Sequence, residues 1–364
     1  MASLQNPSLA TCPTSSSSTA AAARQTKPDG AVHAIQLRYK LSPATIKTLE
    51  AVNSSPSRRD ILYQSCQAIE FRSFPIKQAE RTFFREINDH TAIPYPLGEN
   101  ICQPWQKAFL FIQMEMQQQG WPNKLNAKAR KELQQESGRM YSLLDSVLRC
   151  MIDLFGHKHN GRAVNTALDV LRSIRARVWE GSGNGKELLQ IQGIGPAKMQ
   201  KLVDADVRTI HRLSRMEFYH IERLLSRNPP FGQEMKRLVA NFPLLKLDFE
   251  LIRRHDSVDV GSITQIGETS ASTGVHTDMW IARVVLGYGN DQLPEWKKRI
   301  PWTTFVVEGE DGRLVWFWRG SVKRLCENKE MLIGLGVKRG ETLKVTFACE
   351  EVVGTMVRHS VQVG

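Results

Sequence analysis

Two glycines flank a single isoleucine in LLQIQGIGPAKMQKL, Leu188 to Leu202, between two short stretches of helical pattern. Glycine accepts left-handed or strained backbone angles and carries no Cβ, so Gly193 and Gly195 leave the amides from Ile194 to Ala197 bare to an approaching group. Ile194 anchors the turn in a core, and Pro196 suits the first position of the helix that follows. Exposed amides at a helix N-terminus attract an anion, and the natural anion for such a turn is a nucleic-acid phosphate. Lys198 and Lys201, one turn apart on the second helix, add positive charge beside it. Contacts of this kind read no bases, so the expected binding is independent of nucleotide sequence. The competing reading is a plain turn whose glycines serve tight packing. Arg208, Arg212 and Arg215 follow closely and extend the basic face, or else form an ordinary solvated surface.

No other segment offers a catalytic arrangement. GSGNGKE, Gly181 to Glu187, resembles a phosphate-binding loop but has Glu180 where a glycine is required and Glu187 where a hydroxyl should reach magnesium. It reads as a flexible linker. The six cysteines are scattered, without CxxC or zinc spacing, and are expected to be reduced thiols in an intracellular protein. No metal, cofactor or catalytic residue is expected. No run of 18 residues is apolar enough to span a membrane. Lysine and arginine outnumber the acids 49 to 37, a net charge of +12, which favours a polyanionic partner.

The elements that position the turn follow from periodicity. At roughly 150 residues per domain, 364 residues make two or three domains. Residues 1–30, rich in Ser, Ala and Thr, form an expected disordered tail. Residues 31–182 read as a helical bundle. Its clearest member runs from Lys128 to Phe155, with Met140, Leu143, Leu144, Val147, Leu148, Met151, Ile152 and Phe155 on one stripe. A second helix over Ala163 to Val178 places Leu168, Leu171 and Ile174 inward and Arg172, Arg175 and Arg177 mostly outward. Residues 183–242 form a compact helix-hairpin-helix module. A second helical pair, Val207 to Leu213 and Phe218 to Leu225, is stopped by Asn228-Pro229-Pro230. Residues 243–364 change to a period of two. Leu245, Leu247, Phe249 and Leu251 alternate with polar residues, as do Leu343, Val345, Phe347 and Cys349, and TTFVVEGEDGRLVWFW reads as a hairpin. With polar loops such as Ser262 to Thr277, this is a small β-sandwich. The expected fold class is multidomain α+β.

ELLQIQGIGPAKMQKLVDADVRTIHRL and HIERLLSRNPPFGQEMKRLV closely resemble the C-terminal region of the fungal meiotic crossover helicases, Ski-two-like members of superfamily two. The resemblance extends to EFRSFPIKQAERTFFREIN, KAFLFIQMEM, LLDSVLRCMIDL and FACEEVVGTMVRHSV, and covers roughly Ala31 to Val363. That region, the Sec-sixty-three or Brl domain, comprises in the family a helical bundle, a helix-hairpin-helix and a fibronectin- or immunoglobulin-like sandwich. The resemblance implies an accessory part of an ATP-dependent 3′-to-5′ DNA helicase in the nucleus. Its implied partners are single-stranded or branched DNA, meiotic recombination proteins or a helicase motor. No Walker lysine loop, DExH box or arginine-finger segment is present in these residues. The chain is therefore expected not to hydrolyse ATP, as a motorless relative or a fragment of a longer gene. The alternative is a protein-interaction platform, the role a similar cassette plays in spliceosomal helicases acting in RNA processing.

Overall fold

The computed structural model describes residues 30–181, 183–255 and 278–364. The expected tail, apart from Gly30, and the polar loop 262–277 lie outside these residues. Among the described residues there are eleven α-helices followed by seven strands. The first seven helices are α1 (Gly30–Tyr39), α2 (Pro43–Glu50), α3 (Arg58–Cys66), α4 (Arg81–His90), α5 (Pro104–Met116), α6 (Ala127–His157) and α7 (Gly161–Ala176). They enclose one apolar core containing Phe71, Phe83, Phe84, Phe109 and Phe111. Helix α6 spans 31 residues, and Asn126 begins it by accepting from the Ala129 amide at 2.8 Å. Its apolar stripe is the one the spacing predicts.

Two of the family-like segments meet inside this core. The Lys107 ammonium, fully buried, pairs with Glu80 at 2.8 Å and Glu136 at 2.7 Å, and Lys77 bridges Glu136 at 2.8 Å and Glu132 at 3.0 Å. Buried ions persist only where their partners are in place, so this chain of charges fixes how α5, α6 and the turn before α4 pack together.

The next four helices are α8 (Pro196–Asp204), α9 (Ile210–Ser214), α10 (Phe218–Leu225) and α11 (Phe231–Ala240), with a 3-10 turn at Lys186–Gln190 before α8. The strands are β1 (Leu245–His255), β2 (Asp278–Tyr288), β3 (Trp302–Glu308), β4 (Leu314–Ser321), β5 (Lys329–Val337), β6 (Thr342–Cys349) and β7 (Val357–Gln362). They form two antiparallel sheets, ordered β1-β2-β5 and β4-β3-β6-β7. In the expected hairpin, Phe305 faces Trp318 and Val307 faces Trp316.

A single apolar cluster runs from Leu188 through α8–α11 into both sheets, as far as Val363. Helix α7 abuts the β3–β4 hairpin, where a Cβ on Gly161 would lie 2.8 Å from the Arg313 carbonyl oxygen. No helix is long and apolar enough to cross a membrane, and no group of His, Cys, Asp and Glu could hold a metal, among the described residues.

One expectation is corrected. Arg172 and Arg175 do not face outward. Arg172 is 1% exposed and lies between Asp169 at 2.5 Å and Glu180 at 2.7 Å, and Arg175 engages Asp145 and Glu351, each at 2.5 Å. Helical period marks which residues share a face, but packing against the rest of the chain, with Asp145 and Glu351 brought to Arg175 from 30 and 176 residues away, decides that this face is buried. Asn228-Pro229-Pro230 follows the end of α10 as expected, and the chain then enters a further helix, α11, which the spacing did not indicate. Pro230 is the N-cap of α11, where a missing amide costs nothing.

Candidate nucleic-acid interface

The turn from Ile191 to Pro196 joins the 3-10 turn to α8. Ile194 is buried, and its amide donates to the Ile191 carbonyl at 3.0 Å. That amide is therefore committed and not bare, because the turn closes on itself. Gly193 has φ +89°, a left-handed angle that favours glycine. Gly195 does not: it is extended, with φ −99° and ψ 179°, angles any residue adopts. Neither glycine is needed for packing. A Cβ on Gly195 would meet nothing within 4 Å, and one on Gly193 would make only an ordinary contact, 3.9 Å from Met235 Cε. Gly195 is the N-cap of α8 and has no side chain to accept from the first-turn amides, and Pro196 occupies the first helical position. The amides of Ala197 and Lys198 thus have no side-chain cap at the positive end of a helix.

Lys198 curls back over this turn. Its Nζ donates to the Gly193 carbonyl at 2.6 Å and lies 4.6 Å from the centre of the Phe231 ring. Partial burial, with Arg227 alongside, holds its ammonium below the usual lysine range. The Arg227 guanidinium sits 5.5 Å from the same ring. Lys201 reaches Ser226 Oγ at 3.4 Å. The α10–α11 connection therefore brings a third cation and an aromatic ring to the turn. These residues lie in SRNPPFG, a family-like segment whose role the spacing alone did not reveal. Lys198, Lys201 and Arg227 converge only because α10 and α11 pack beside α8.

The arginines after α8 lie elsewhere. Arg208 and Arg212 both engage Asp206, at 3.4 Å and 2.5 Å, beyond the C-terminal end of the helix. Arg215 is exposed. Among the described residues, no hydrogen bond or ion pair links these arginines to Lys198, Lys201 or Arg227.

The turn is fastened to the rest of the chain by FACEEVVGT. Gln190 Nε2 donates to the Val353 carbonyl at 2.9 Å, and the Val353 amide donates to Gln190 Oε1 at 3.1 Å. Glu187 accepts from the Ile210 amide at 2.7 Å and packs against Gly354, where a Cβ would come within 2.5 Å of its carboxylate. Burial pushes the Glu187 carboxyl up from 4.5 to about 7, against the Ile210 amide and with help from Glu180. A carboxyl whose pKa is raised on folding binds its proton more tightly in the folded state. Its contribution to stability is complete below about pH 4.5 and is lost as pH rises through about 7. Glu187→Gln keeps an acceptor for Ile210 and has no proton to lose, so its urea-unfolding stability should fall less than wild type between pH 5 and 8. Identical pH profiles would show that Glu187 is ordinarily solvated.

With this geometry, the chain defines a helical assembly and a two-sheet unit held as one piece around a glycine turn. Residues 34–362 match the Sec63 Brl domain family, and the chain belongs to it. Among curated relatives, it is similar to the ATP-dependent DNA helicase MER3 of Saccharomyces cerevisiae, 24% identical over 221 residues, covering 59% of this chain and 18% of that protein. It is also similar to the probable ATP-dependent DNA helicase HFM1 of Mus musculus, 21% identical over 307 residues, covering 82% of this chain and 20% of the relative. The MER3 homolog of Oryza sativa is 21% identical over 251 residues, covering 66% of this chain and 20% of the homolog. The chain spans about a fifth of the length of these relatives.

Proposed function

We propose that this chain is the nucleic-acid-binding accessory region of a meiotic 3′-to-5′ DNA helicase, acting in the nucleus on single-stranded or branched DNA through its phosphates. On this reading residues 31–182 are a bundle that guides the strand. Residues 183–242 are a helix-hairpin-helix module that grips it, and residues 243–364 are a fibronectin-like sandwich that supports the grip. The observation that carries the proposal is Gly195. Neither its backbone angles nor its neighbours require glycine, yet it leaves the α8 amides without a side-chain cap on a turn that Lys198 contacts, with Lys201 and Arg227 on the adjoining α8 and α10–α11 connection. A phosphate seated there would accept from the amides and neutralise the cations. The similarity to DNA helicases favours DNA as the strand.

Gly195→Ser tests the seat without harming the fold. Serine is a strong N-cap, so its hydroxyl should occupy the α8 amides, preserving or raising the melting temperature while weakening oligonucleotide binding. Lys198→Ala with Lys201→Ala tests the charges. On single strands each phosphate contact releases about 0.7 of a counterion, so the double variant should flatten the plot of log affinity against log salt by about 1.4. The weakening should be alike for all base sequences. Unaltered binding by Gly195→Ser together with an unaltered slope would remove the glycine turn from the nucleic-acid interface.

A further inference from the structure

A second basic surface lies away from the glycine turn. A groove of about 670 Å³ separates α6 and α7 from the segment that leads into β3. Its inner wall carries Arg149 and Arg175, whose charges are already balanced. Asp145 holds both arginines, at 3.3 Å and 2.5 Å, and Glu350 and Glu351 complete the set. The outer rim differs. It is the segment Trp296-Lys297-Lys298-Arg299, closed by paired backbone hydrogen bonds between Trp296 and Arg299 at 2.8 Å and 2.9 Å. Lys297 and Lys298, at its tip, have φ +48° and +62°.

Positive φ at both central residues describes the tight turn that normally takes Asn-Gly, because residues with a Cβ are disfavoured there. Two lysines occupy it instead. No carboxylate lies within ion-pairing distance of Lys297, Lys298 or Arg299 among the described residues, and all three are exposed. Lys297 leans over the groove, with its Nζ 3.4 Å from the Arg175 carbonyl oxygen and 5.2 Å from the Trp296 ring centre. Trp302, 42% exposed, also lines the groove and presents an indole beside the cations. Unpaired cations held in an unfavourable turn next to an open aromatic ring meet both requirements of a single strand: charge for phosphates and a face for a base.

We propose that this groove is a second nucleic-acid contact, in which the Lys297-Lys298 turn holds the backbone phosphates of a single strand and Trp302 stacks against a base. The proposal extends the nucleic-acid reading of the chain and does not depend on the glycine turn. A strand engaging both surfaces would be held by the bundle and sandwich as well as by α8.

The test uses the turn's own preference. Lys297→Asn with Lys298→Gly installs the residues such a turn favours, so the full chain should melt at the same temperature or higher while losing two charges. With a fluorescent oligo-dT, the salt slope should fall by about 1.4. Trp302→Leu should weaken oligo-dT binding roughly five-fold or more and leave an abasic strand of equal length unaffected. An unchanged slope in the well-folded turn variant overturns the proposal. So does displacement of the strand from the turn by polyglutamate at equal charge, which would assign the groove to an acidic protein segment. Comparison with Lys198→Ala/Lys201→Ala separates the two surfaces. A slope altered only by the turn variant defeats the glycine-turn reading and retains the groove, and a slope altered only by the α8 variant does the reverse. No oligo-dT binding by the wild-type chain would end both.

Discussion

Glu350→Ala should destabilise the chain by about 3–5 kcal/mol, the usual consequence of removing one partner from a buried ionic network. Glu350 has no solvent exposure. Arg319 approaches it to 2.5 Å, Arg175 to 3.4 Å and Arg149 to 3.5 Å, so three guanidiniums from α6, α7 and β4 converge on one carboxylate. Asp145 and Glu351 still compensate Arg175 after the change, but Arg319 loses its buried partner. Glu350→Gln preserves the shape and should recover little, because the lost quantity is charge. The network is also the joint between the helices and the sheets. Urea unfolding of either variant should therefore change from one concerted transition to two, with the helices α1–α7 and the two sheets melting apart. A midpoint within error of wild type in both variants would mean that these arginines find sufficient solvent or other acids.

Gly232→Ala should cost about 1–3 kcal/mol from overpacking alone. Gly232 is the second residue of α11, packed against α10, and a Cβ would sit 2.1 Å from the Phe218 carbonyl oxygen and 2.9 Å from Glu222 Cγ. Backbone cannot yield as a flexible side-chain tip can, so α11 must move. The movement also strains the 2.8 Å hydrogen bond from the Gly232 amide to the buried Glu222 carboxylate, and an unsatisfied buried group adds to the cost. Because Arg227 and Phe231 lie on the connection that shifts, oligonucleotide affinity should fall with stability, while the core around α5 and α6 remains protected in hydrogen exchange. Full affinity in a destabilised variant would remove the α10–α11 connection from the interface.

The pH response has a second contributor at the same joint. Burial raises Glu351 from 4.5 to about 7, opposed chiefly by Arg175. Like Glu187, it favours the folded state at lower pH and ceases to do so as pH passes about 7. Glu351 belongs to the 350–354 loop and Glu187 packs against Gly354 at its end, so both report how dry that junction is.

What the sequence determined by itself was local. Apolar residues at helical spacing specified α6 and the helix after Asn160, because a helix repeats every 3.6 residues whatever it packs against. Alternation specified β1 and β6, and Glu310-Asp311-Gly312 placed the β3–β4 turn. The glycine turn was legible because left-handed φ at Gly193 and proline at the start of α8 are short-range requirements. Tertiary structure decided the rest. It buried Arg172 and Arg175 on a helix face that reads as polar: Arg175 meets carboxylates 30 and 176 residues away in the chain, and Arg172 is covered although its own, Asp169 and Glu180, are only three and eight residues away. It brought Arg227 and Phe231 to the Gly193 turn, and set Lys297 and Trp302 on the rim of a groove whose inner wall is α6 and α7. It also gave FACEEVVGT, conspicuous in the sequence but mute there, its part as the loop where helices and sheets are joined. The physical reason is the same throughout. Backbone geometry acts between near neighbours and leaves a periodic trace, whereas charge compensation and close packing act through space and leave none.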